Sequence, residues 1–206
     1  MSFLLEPSSQ RGMICFMEER DRRVAYHEAG HVVAHFYFRS VVDLQFEYVT
    51  IEPDREEGSA GHVKLIPSGR GIQPDLFDFT LDDEMNEEAC GMTQRELEAR
   101  MSILLAGEAA TYVLDGRRDE HGTGREEWSG DYAGCMEFLE RLFWVEDEAE
   151  ATGNRAAHAY MEALFWRMAF TFEMSAWRNK LDRIAESLLK KRKLSAAECH
   201  SIYTAA

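Results

Sequence analysis

Apolar positions recur at helical spacing from about Glu18 to Phe38, where Val24, Ala25, Val32, Val33 and Phe36 predict a helix with one buried side. Residues 1–17, interrupted by "EPSSQRG", read as a loose lead-in. The pattern then changes period. "LQFEYVTIEP" alternates and is rich in β-branched and aromatic residues, which predicts a strand ending at Pro53. "DREEGSAG" reads as a turn, and "HVKLIP" as the second strand of a hairpin. Residues 67–92 are rich in Pro, Gly and acid and carry little period, so they read as a long connection. Thr93 with Glu96 forms the pattern of a capping box, placing a helix start ahead of "QRELEARMSILLAGEAATYVL". Residues 115–128 read as a second polar loop, after which Ser129 offers an N-cap to "GDYAGCMEFLERLFW". The C-terminal part, residues 150–206, is strongly helical and breaks near "KRKLS", where Ser195 can cap a short final helix. The sum is one α+β domain over residues 1–206, predominantly helical, with a small sheet and a C-terminal helical bundle.

The net charge of −15 narrows the partners. An acidic surface repels phosphate backbones, so generic nucleic-acid binding is not expected. The one basic cluster, "KKRK" at 190–193, suits a helix C-terminus. Cys15, Cys90, Cys135 and Cys199 are scattered without a CxxC pair, which argues against a zinc ribbon and a disulfide scaffold. The first residues do not read as a signal peptide, and no apolar run reaches the length of a membrane span. A cytoplasmic protein is the expectation.

The chemistry concentrates in "RRVAYHEAGHVVAHFYF", residues 22–38. On a helix, His27 and His31 lie one turn apart on the same face and can offer two nitrogens to one metal. Glu28 is rotated by roughly 100° from His27, where a carboxylate can act on a nearby water. The pentapeptide equally fits two half-exposed histidines on a surface helix. His35 stands roughly 12 Å along a straight helix from His27, too far for all three histidines to share a tetrahedral ion. No glycine turn follows His31, so the third ligand must come from elsewhere. In one alternative, a glutamate of the later helix supplies it: Glu96, Glu98 or Glu108.

The run "RRVAYHEAGHVVA" resembles the opening of the active-site helix in the peptidase domain of FtsH-type AAA+ zinc metalloproteases. The similarity continues in order through "VTIEP", "GSAGHVKLIP", "MTQRELEARMSILLAGEAATYVL", "EEWSGDYAGCMEFL" and "WRNKLDRIAESLLKKRKLSAAE". It spans about residues 22–203, nearly the whole chain. The resemblance implies a zincin-like fold and one zinc per chain, held by His27, His31 and Asp131, with Glu28 as general base. Asp131 also fits a bland role, because a carboxylate in a helix's first turn is favoured by the helix dipole. The chain departs from the family in lacking a GxxxxGK[ST] phosphate loop and a membrane span. The acidic segments 67–92 and 115–128 are also longer than the family pattern, and would form a lid, restrict substrates or block the site.

The expected function is that of a soluble, ATP-independent zinc endopeptidase acting on peptides or unfolded chains. The alternative is a metal-binding but catalytically silent module for peptide binding or assembly. Gly61, His62 and Val63 fall in the strand that zincins pair with an extended substrate, although a strand histidine is commonly just solvated. Phe165, Trp166, Phe170, Phe172 and Trp177 crowd one helix on several faces, which suggests core packing and a surface for a second copy or a partner. Gly30 inside a helix costs about 1 kcal/mol relative to alanine and predicts a close approach by another segment.

Overall fold

The computed structural model describes residues 7–42, 44–53, 60–66, 87–116, 130–132, 134–135 and 150–206, with side chains placed from 18, 94 and 155 onward in the three longest helices. It is predominantly helical with a three-stranded antiparallel sheet, an α+β fold. Helix α1 runs from Pro7 to Phe38. The expected loose lead-in is therefore helical from residue 7. Its proline stands in the first turn, where the missing N–H costs nothing and the fixed φ is already helical.

Strands β1 (Gln45–Thr50) and β2 (His62–Ile66) form the predicted hairpin, with Gln45 opposite Ile66 and Thr50 opposite His62. A register shift between Phe46 and Tyr48 bends the pair. β1 stops at Thr50, short of Pro53, although the Ile51 amide still donates to the Arg192 carbonyl at 2.9 Å, in register with the C-terminal strand 193–195.

Helix α2 spans Glu87–Asp115, so Thr93 lies inside it rather than at its N-cap. Glu96 is engaged one turn ahead, accepting from Arg100 at 2.6 Å. The last six residues of the expected 67–92 loop are thus helical, while its remainder and residues 117–128 lie outside the described residues, as does the Ser129 cap. α2 ends in Gly116 at φ 69°, whose N–H donates to the Tyr112 carbonyl at 2.7 Å; a left-handed residue here is what favours glycine. Residues 130–132 and 134–135 are helical.

The C-terminal part holds α3 (Glu150–Glu173), α4 (Ser175–Lys191), β3 (Lys193–Ser195) and α5 (Ala196–Ala205). Lys190 and Lys191 occupy the last turn of α4, as a cationic run at a helix C-terminus should. Ser195 caps α5 with Glu198 in a reciprocal capping box. β3 has no counterpart in the sequence reading. It pairs with β1 through Tyr48–Ser195 and Thr50–Lys193, giving the order β2-β1-β3.

α1 packs against α2 on one side and α4 on another, and α2 packs in turn against α3. The interior is filled by Val32, Val33, Met101, Phe165, Phe172 and Leu188, all within 1% of full burial. Each such side chain contributes about 1.5–3 kcal/mol relative to exposure. The aromatic group is split between two helices: Phe165 and Phe172 are buried and Trp177 sits on α4, whereas Trp166 and Phe170 stand 45% and 67% exposed on α3. The expectation of a partner surface attaches to that exposed pair. Among the described residues, no helix is long and apolar enough to cross a membrane.

The α1–α2 crossing explains Gly30. A Cβ there would stand 2.3 Å from the Ala106 carbonyl oxygen and 2.8 Å from the Ala110 Cβ. The glycine lets two backbones approach within a distance that alanine forbids, and this sets the neighbouring turns of α1 against α2.

Candidate metal centre

The close crossing carries His27 and His31 of α1 into the gap between α1 and α2, next to the helical residues 130–132. His27 Nε2 lies 3.0 Å from His31 Nε2 and 3.0 Å from Asp131 Oδ2, and His31 Nε2 lies 3.2 Å from the same oxygen. Three donor atoms from two separate elements thus form a near-equilateral triangle. Ligands about 2.0–2.1 Å from a tetrahedral zinc are separated by roughly 3.3 Å, so the triangle matches one face of that tetrahedron. Among the described residues, these three form a group of metal-binding type with all ligand atoms within 4.8 Å of one another.

α2 orients the second imidazole. His31 Nδ1 lies 2.8 Å from the Ile103 carbonyl oxygen, which only a protonated Nδ1 can donate to, leaving Nε2 facing the triangle. One turn later α2 places Gly107 against both rings. A Cβ on Gly107 would meet His27 Cε1 at 2.4 Å, His27 Nε2 at 2.5 Å and His31 Nε2 at 2.6 Å. The imidazole pair, the single carboxylate and the space kept by Gly107 together fit a divalent cation of the zinc type.

Glu28 is 3% exposed and sits beneath the hairpin. A Cβ on Gly61 would come within 3.0 Å of Glu28 Oε1 and 2.8 Å of the Thr50 carbonyl oxygen. Glycine at position 61 therefore lets β2 lie directly over the carboxyl group. The sequence pairs Gly61 with the substrate strand; its contact with Glu28 is visible only in the fold.

The electrostatics follow from burial and from Asp131. Burial pushes the Glu28 carboxyl up to about 8, partly opposed by the charge of His31. Burial lowers His27 to about 4 despite the Asp131 hydrogen bond. Burial would lower His31 too, but the Asp131 carboxylate more than reverses this and holds it at about 9. Asp131 itself is drawn well below the usual carboxylate range: burial alone would raise it, and the His31 charge with both imidazole hydrogen bonds overcomes that. These side chains by themselves thus hold a proton on His31 against Asp131. A divalent cation bound at the same place would displace that proton. The Asp131 side chain is 28% exposed, against 3% for His27 and 11% for His31, so the carboxylate is the most accessible of the three.

The other candidates stand apart. His35 is buried and packed, its Nε2 2.6 Å from the Leu44 carbonyl oxygen and its ring edge-on to Phe36 and Phe46. His62 lies against Tyr48, with Nε2 3.4 Å from the phenolic oxygen, and Val63 packs on the core. Glu96 pairs with Arg100, and Glu98 accepts from the Tyr160 hydroxyl. Burial raises the Cys135 thiol, and the charges of Asp131 and Glu108 add to this; Glu108 is not among the three converging side chains. The triangle therefore assembles with Asp131 rather than with a glutamate of α2. Sequence reasoning overlooked Ile103 and Gly107. A glycine inside the helical run "LLAGEAA" was the available signal, of the same kind as Gly30. The chain matches no protein-family model and no curated protein sequence.

Proposed function

We propose that this chain is a zinc-dependent peptidase, with His27, His31 and Asp131 holding the metal and Glu28 moving the proton. The observation that carries this reading is the convergence of three ligand atoms at 3.0–3.2 Å beside a buried carboxyl group. The ordered similarity to FtsH-type peptidase domains supports it. Zinc, when bound, supplies a Lewis acid that polarises a carbonyl and acidifies a water molecule.

The chain's own residues do the rest. Glu28, whose carboxyl is pushed up by burial, would be favoured as a carboxylate by a cation held at the His27, His31 and Asp131 atoms. Glu28 then takes a proton from the attacking water at one carboxylate oxygen and delivers it to the leaving amide nitrogen. The Ile103 carbonyl keeps the His31 ring in one tautomer. Strand β2 is bonded to β1 on one side, and among the described residues no strand pairs with its other edge. An extended peptide can add along that edge, passing Gly61, His62 and Val63 above Glu28. A site of this kind acts on peptides or already unfolded chains. The buried free thiols Cys135 and Cys199 suit a reducing compartment such as the cytoplasm.

Glu28→Gln tests the reading. The amide keeps size and hydrogen bonding but cannot accept the proton, and losing a general base costs about 10²- to 10⁴-fold in rate. Cleavage of a denatured, fluorescently labelled casein by the zinc-loaded protein should fall by at least the lower figure, with zinc content unchanged. Equal rates in both proteins contradict the assignment of Glu28. No cleavage by zinc-loaded wild type across denatured substrates favours the silent binding module.

A further inference from the structure

We infer that Gly107 is a determinant of metal binding: its missing side chain keeps open the space in which His27 and His31 meet the ion. This rests on the zinc reading above and adds a residue that makes no bond to the metal. A Cβ at this position would lie 2.5 Å from His27 Nε2 and 2.6 Å from His31 Nε2. Those are the two nitrogens of the ligand triangle, and a zinc ion would stand about 2.0–2.1 Å from each. A methyl group at 107 would therefore crowd the ligand atoms and the ion at once.

The usual reasons for a helical glycine do not account for this one. Its backbone lies in ordinary helix, away from the left-handed region, so any residue could adopt its conformation. Glycine is also among the poorest helix formers, so alanine would be preferred on propensity alone. Gly30 provides the contrast. Its Cβ would strike the α2 backbone, so Gly30 serves the crossing of the helices, whereas all three nearest atoms to a Gly107 Cβ belong to the imidazoles. Gly107 is thus a positioning residue for the ligands rather than a spacer between backbones.

The experiment compares four proteins: wild type, Gly107→Ala, His27→Ala/His31→Ala, and the triple variant. Each is stripped with a chelator, titrated with zinc against a chromophoric competitor, and melted in its metal-free form. Wild type should bind one zinc. Gly107→Ala should lose about 10- to 100-fold in zinc affinity, the scale seen when a residue that orients metal ligands is disturbed. With both histidines removed the three nearest obstructing atoms are gone, and alanine at 107 should raise the melting temperature through its better helix propensity. Wild-type zinc affinity in Gly107→Ala overturns the inference. So does an equal loss of melting temperature, or a failure to fold, with and without the histidines, since either would make Gly107 a packing residue. Absence of zinc binding by wild type overturns the metal reading itself, and this inference with it.

Discussion

Gly30→Ala perturbs the contact on which the site's geometry depends. The added Cβ would sit 2.3 Å from the Ala106 carbonyl oxygen, and 3.0 Å is the least that real contacts allow, so α1 and α2 must part locally by about 0.7 Å. The obstructing atom is helix backbone, which cannot swing aside as a side chain would. Overpacking costs about 1–3 kcal/mol, and a backbone obstruction belongs at the upper end. Replacing glycine by alanine in a helix returns about 1 kcal/mol. The net loss is about 2 kcal/mol, which for a chain of this size lowers the melting temperature by roughly 4–8 °C. Thermal unfolding of metal-free protein, followed by circular dichroism, measures this directly. An unchanged or higher melting temperature would show that the helices do not cross at Gly30, and the site built on that crossing would fall with it.

Asp131→Ala should release zinc while leaving the helical circular dichroism intact, because Asp131 is partly exposed and lies outside the main helical core. Release by Glu108→Ala or Glu96→Ala, with Asp131→Ala retaining the metal, would instead assign the third ligand to α2. ATP with magnesium should leave the rate of cleavage unchanged, since the chain carries no GxxxxGK[ST] loop to bind the phosphates. An ATP-stimulated rate in the purified chain refutes this.

Much of the fold was legible because its signals are local. The hairpin followed from period-two alternation, and the α5 start from Ser195, whose capping-box partner Glu198 emerged in the fold. The misreadings arose where a local signal competed with a longer element. Pro7 looked like a break but suits a helix's first turn, and Thr93 looked like a cap but lies within α2. β3 is three residues long and exists because β1 presents an edge beside the α4 terminus, which no short pattern encodes. At the site, the spacing of His27, Glu28 and His31 was readable from the helix period alone. Asp131 entered through resemblance, since its 104-residue separation from His27 has no local signature. The Ile103 carbonyl and the space at Gly107 depend on how α2 crosses α1, which emerges only from the packed helices.

The most direct test of the central claim is the zinc content of purified protein after stripping and reconstitution, measured by elemental analysis beside a His27→Ala/His31→Ala variant. The three converging ligand atoms predict one equivalent of zinc per chain in the wild type and almost none in the variant. Well under one equivalent in the wild type, or full retention in the variant, would contradict the account.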